Sequence, residues 1–178
     1  MRSTNLVKKA MFTLVMVLVA CSVGAQEKGD MAAGLNLAYG TKSGFSNFGI
    51  GAKYQYSFTD NFRIEPSATY FLKKDYVSMW DINANVHYLF HVGENFVIYP
   101  LAGLTFVGWK ADFGDLLGEL EEEYGVNASQ SVTKFGANLG AGAQYWLTRS
   151  FGLNLEVKYQ IVSDISRPVF SLGAVFKF

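Results

Sequence analysis

The stretch FGIGAKYQYSFTDNFRIEPSATYFL, residues 48–72, decides the fold. Its first half sets Phe48, Ile50, Ala52, Tyr54, Tyr56 and Phe58 in alternation with Gly49, Gly51, Lys53, Gln55 and Ser57, the period of two of a β-strand. After Thr59-Asp60-Asn61 the design repeats. Phe62, Ile64, Pro66, Ala68, Tyr70 and Leu72 take one face, and Arg63, Glu65, Ser67, Thr69 and Phe71 take the other. Two such runs joined by about three turn residues predict an antiparallel hairpin. One face is bulky, apolar and largely aromatic; the other is small or polar and carries charge. A closed barrel of about eight strands has an interior only just wide enough for side chains, so the bulky face is predicted to point outward. Apolar outside and polar inside suits lipid, because closure pairs every strand edge where there is no water to do so.

The alternation extends in both directions. A first strand runs from about Met31 to Tyr39. A fourth runs from Tyr76 to Val92, with Trp80, Ile82, Ala84, Val86, Tyr88 and Phe90 outward and Asp81, Asn83, Asn85, His87, Leu89 and His91 inward. Asn95-Phe-Val-Ile-Tyr-Pro-Leu-Ala then matches Asn61-Phe-Arg-Ile-Glu-Pro-Ser-Ala at five positions, and a third turn-plus-strand unit begins at Phe151. Pro66 and Pro100 recur at equivalent places, where a bulge or a missing ladder bond must be accommodated. A sixth strand covers about Lys134 to Leu147, and the last runs from Val169 to Phe178 after the link Asp164 to Pro168. The prediction is an all-β, eight-stranded antiparallel up-and-down transmembrane β-barrel. Its turns are tight at one end. At the other lies the one long insertion, Ala111 to Thr133, where helical spacing of Leu116, Leu117, Leu120 and Tyr124 allows a short helix.

The N-terminus carries Arg2, Lys8 and Lys9, the apolar run Met11 to Ala20, and Val23-Gly24-Ala25, the three parts of a secretory signal. The apolar run is shorter than the roughly 20 residues a spanning helix needs. Residues 1–25 are therefore read as a signal peptide and 26–178 as the barrel domain. Leu18-Val19-Ala20-Cys21 supports a second reading, in which Cys21 is lipidated and cleavage falls before it. Removing residues 1–25 takes three of the 15 basic residues and none of the 15 acidic ones, leaving 12 against 15 and a net charge of −3. No nucleic-acid footprint is implied. The mature chain keeps no cysteine, which excludes a disulfide framework and thiolate metal sites.

With its closing strand Phe170, Leu172, Ala174, Phe176, Phe178, the mature chain resembles the small outer-membrane β-barrel superfamily, the porin-like group of OmpX, OmpA-barrel and opacity types. The Gln26 start and the repeats resemble proteins of Bacteroidetes. The resemblance implies a Gram-negative outer membrane and a chain surrounded by its lipid and lipopolysaccharide. It also implies that Phe176 and Phe178 form the signal read by the barrel-assembly machinery. It implies no single activity.

The inward charges Lys53, Arg63, Glu65, Glu156 and Lys158 are the sharpest constellation. An unpaired charge in a narrow lumen is expensive, so opposite signs are expected to pair across it as a structural plug; the alternative is a narrow porin-like channel for small solutes or ions. Asp81, His87 and His91 are read as lumen hydrogen-bonding groups. The histidines lie about 13 Å apart at roughly 3.3 Å per residue, too far to share one metal. Catalysis on lipid would need a serine with a histidine base near the outer rim, and no such pairing occurs. The expectation is a monomer with neither catalysis, cofactor nor metal, and with a structural or surface-interaction role. The acidic stretch Asp112, Asp115, Glu119, Glu121, Glu122 and Glu123 is the expected external contact.

Overall fold

The computed structural model describes residues 28–42, 45–74, 77–112 and 129–178. The strands are β1 (Met31–Lys42), β2 (Phe45–Ser57), β3 (Phe62–Lys74), β4 (Val77–Tyr88), β5 (Phe96–Asp112), β6 (Ser129–Trp146), β7 (Phe151–Val162) and β8 (Arg167–Lys177). A short segment, Phe90–Val92, continues β4 past Leu89 and pairs in the same register with β5. Each strand pairs antiparallel with its neighbour in sequence, and β8 pairs with β1 from Ala32↔Lys177 to Gly40↔Val169. The result is a closed eight-strand barrel of up-and-down order, as the alternation predicts. Strands of 11 to 13 residues, the length of β1 to β4, β7 and β8, fit the roughly 9–11 tilted residues that cross a bilayer.

The repeat is a repeat of structure. In the turn before β3, Thr59 Oγ1 accepts from the N–H groups of Asn61 (3.3 Å) and Phe62 (2.9 Å). In the turn before β7, Thr148 Oγ1 does the same for Ser150 (3.2 Å) and Phe151 (2.9 Å). Each threonine thus satisfies donors that the hairpin leaves unpaired. Gly93, at φ 74°, supplies the left-handed residue of the turn after β4. Pro66 lies where the β2–β3 ladder skips from Lys53↔Ser67 to Tyr56↔Ile64 without a change of register. That is the missing bond expected of a residue with no N–H.

The two faces separate as predicted. Leu35, Leu139 and Leu172 are 67%, 61% and 58% exposed on the outer wall, whereas Arg63 and Glu65 are 0% and 1% exposed inside. Three boundaries differ from those the alternation predicts. β1 runs past Tyr39 to Lys42 and pairs with β2 from Phe45. β5 and β6 run on through Asp112↔Ser129, so 111–112 and 129–133 are strand, not insertion. β8 starts at Arg167, two residues earlier than its apolar pattern suggests, which turns Arg167 from a linker residue into an inward one, 3% exposed. Residues 1–25 with Cys21, the possible helix, and Asp115, Glu119, Glu121, Glu122 and Glu123 lie outside the described residues. Asp112 is on β5.

Candidate functional site: the lumen

The inner face is stacked in layers. Three apolar clusters bracket polar ones. Ala38, Phe71, Met79, Val107, Val162 and Val169 fill the end nearest the long hairpin. Leu89, Val97, Tyr99 and Leu101 and Ala32, Trp146 and Val175 fill the end near the termini. The alternation predicts an inner face that is small or polar. These bulky residues are a correction to that: they sit where the strands near the rims, and a narrow barrel needs volume there to exclude water.

The layer nearer the termini holds the predicted charges. Lys53 Nζ lies 3.3 Å from Glu65 and 3.0 Å from Glu156. The first pair joins neighbouring strands; the second spans the lumen from β2 to β7. Arg63 donates to Gln55 Oε1 (3.1 Å) and Gln144 Oε1 (2.9 Å), and its Nε and Nη2 reach His87 Nδ1 at 3.2 and 2.9 Å. An arginine can only donate, so Nδ1 is the accepting nitrogen and the ring proton sits on Nε2. The His87 ring stacks on Tyr99 with centroids 4.5 Å apart, and the Arg63 guanidinium covers the same tyrosine at 4.7 Å. Tyr99 Oη donates to Glu156 at 2.8 Å, and Asn154 Nδ2 adds a second donor to that carboxylate at 3.1 Å. Gly142 makes this possible, since a Cβ there would lie 2.6 Å from the Tyr99 ring.

A second layer lies nearer the long hairpin. Gln160 Nε2 and Asn83 Nδ2 each donate to Asp81 at 2.8 Å, and Arg167 approaches it at 3.8 Å. Arg167 Nε donates to Gln160 Oε1 at 3.0 Å. Asn138 Nδ2 donates to Asn83 and Asn85 at 2.8 and 2.9 Å. Each layer therefore pairs its carboxylates with cations, which offsets part of the cost of burying them.

Lys53, Arg63, Glu65, Asp81, His87 and Glu156 are brought together within the lumen as the parity of their strands predicts. Lys158 is also buried on the β7 wall. His91 is not. It keeps the inward parity, opposite Val97, but lies exposed beside the Gly93 turn, because the strand leaves the barrel there. Glu65, His87 and Glu156 offer three potential ligand atoms within 4.8 Å of one another. Lys53 already bridges both carboxylates and Arg63 engages His87, so a dication would have to sit beside two cations. The donor set fits a salt-bridged plug rather than a metal site. Sequence reasoning missed Gln55, Tyr99, Gln144, Gln160 and Arg167, though inward parity marked all but Arg167.

The sequence matches the family model described as outer membrane protein beta-barrel domain over residues 11–178. No curated protein matches the chain. Among solved structures, the N-terminal β-barrel domain of Pseudomonas aeruginosa OprF superposes with a TM-score of 0.68 at 18% identity, covering 86% of this chain and 100% of that one. Neisserial surface protein A gives a TM-score of 0.64 at 18% identity, covering 84% and 96%. Ail, the attachment invasion locus protein of Yersinia pestis, gives 0.58 at 19% identity, covering 85% and 99%. At such identities the likeness is one of fold.

Proposed function

The chain belongs to the outer membrane protein beta-barrel domain family and resides in the outer membrane, and from that premise we infer that it is a closed, non-conducting, non-catalytic barrel working at its outer surface. One observation carries this reading. Both ends of the lumen are plugged by packed apolar side chains, and the carboxylates between them are paired with cations. A channel needs an unbroken file of water, and such layers leave it no polar path. The termini lie in the periplasm and the long β5–β6 hairpin outside, following the short-turn, long-loop asymmetry of these barrels. Phe176 and Phe178, on the outer wall of the closing strand, serve as the assembly signal, and the protein functions as a monomer among lipopolysaccharide. The test is single-channel recording of the refolded mature protein in planar bilayers, beside a Glu65→Gln/Glu156→Gln variant. The native barrel is expected to be silent. Steady openings would overturn the reading in favour of a narrow channel with the lumen charges as its selectivity residues.

The surface role rests on the hairpin. β6 pairs with β5 along its whole length, but its pairing with β7 begins only at Gly136↔Val162. Residues 129–135 therefore form a sheet edge with no partner on that side among the described residues, and such an edge is a template for an added strand. Lys134, ion-paired with Asp164, guards one point of it. The expected result in amide hydrogen exchange is that alternate amides of 131–135 exchange much faster than those of 136–146. Uniform protection along β6 would show the edge covered and remove it as a contact surface.

A further inference from the structure

We propose that the outer wall from β8 across β1 to β2 and the edge of β3 holds one phosphorylated lipid of the outer leaflet, its acyl chain in an apolar furrow and its phosphate at the lysine-bearing rim above. The inference rests on the outer-membrane placement and on the external position of the β5–β6 hairpin. The registers set Leu172, Leu37 and Ile50 in one row across β8, β1 and β2. Tyr39 and Phe48 stand in the next row toward the external rim, and Leu72 continues it on β3. Between the rows lies a furrow of about 350 Å³ whose floor is backbone at Ala38 and Gly49, where no large side chain fills the wall. Tyr39 and Phe48, with ring centroids 4.9 Å apart, form its upper lip.

Above that lip a second hollow of about 590 Å³ shares Tyr39, Phe48 and Leu72 with the furrow and adds Ser46, Asn47 and Lys73. Polar groups thus enter a largely apolar lining one row higher, at Ser46 and Lys73, as they would where an acyl chain meets its headgroup. Charge supports the assignment: Lys73, exposed at the external end of β3, brings a cation to this hollow. A lysine at a membrane surface contributes about 1 kcal/mol toward an anionic lipid.

The test is native mass spectrometry of the refolded mature protein with bisphosphorylated lipid A, its dephosphorylated form, and phosphatidylcholine as probes. One lipid A should be retained about fivefold better than the dephosphorylated form, the equivalent of one lysine contact. Lys73→Glu should abolish that preference. Leu37→Trp, which fills the furrow, should lower retention of all three lipids, while Leu139→Trp on β6, three strands from Leu37, should change nothing. If Leu37→Trp fails to refold, Ile50→Trp gives the same reading. Equal effects of the Leu37 and Leu139 variants, or indifference to phosphate, would overturn the site and leave an ordinary lipid belt. Refolding into vesicles, followed by heat-modifiable gel migration, reports separately on the membrane barrel itself.

Discussion

Lys53→Met is expected to lower the unfolding free energy of the barrel by about 3–5 kcal/mol, the usual cost of removing one partner from a buried ion pair. The ammonium sits between two carboxylates, 3.3 Å from Glu65 and 3.0 Å from Glu156, with all three side chains at most 4% exposed. Without it the two anions face each other in a medium that screens them poorly. Arg63 cannot replace it without giving up Gln55, Gln144 and His87. The measurement is reversible urea unfolding in lipid vesicles, read by tryptophan fluorescence. Lys53→Met/Glu65→Gln removes one charge of each sign, so its loss should fall short of the summed single losses by at least about 1 kcal/mol, the coupling expected of contacting residues. Additive losses, or a Lys53→Met barrel as stable as the native one, would mean that the charges are held by water and not by each other.

That pairing was half legible in the sequence. Period-two alternation fixes which residues face inward, so Lys53, Arg63, Glu65, His87 and Glu156 could be assigned to one lumen. It does not fix which inward residues meet. The contact of Lys53 with Glu156 depends on the stagger and tilt of the closed sheet, and these are set by registers such as Gly34↔Lys53 and Gly142↔Glu156. Tyr99 shows a second limit. It occupies in its repeat the place of Glu65, so the frame was visible, but the chemistry at that place had changed from an acceptor to a donor for Glu156. Arg167 was hidden by Pro168. A proline reads as a linker, yet here it stands on the outer wall opposite Tyr159, where its missing N–H is tolerated at the start of an otherwise regular strand. His91 fails for a third reason: parity says which way a side chain points but not where the rim cuts the strand. The extension of β5 and β6 was invisible because Ser129 to Thr133 lack apolar alternation and are drawn into the sheet by pairing with 108–112.

Phe71→Ala should cost about 3–5 kcal/mol by the same unfolding measurement, the range for truncating a buried phenylalanine. The ring is 0% exposed at the centre of the external plug and packs with Ala38, Met79, Val107, Val162 and Val169. It also lies flat under Arg167, whose guanidinium carbon is 4.2 Å from its centroid, and against Gly49, where a Cβ would come within 2.8 Å of it. Truncation therefore opens a cavity at the mouth and takes away the face on which Arg167 rests, while the Arg167 bond to Gln160 remains. In planar bilayers the variant should still be silent. Below the plug stand two charge-paired layers and then Trp146, itself 1% exposed, and each would have to admit water before an ion could pass. Steady conductance from Phe71→Ala alone would show that the paired layers are already wet. The apolar plug would then be the sole barrier, and the function would move from the outer surface to a gate at Phe71.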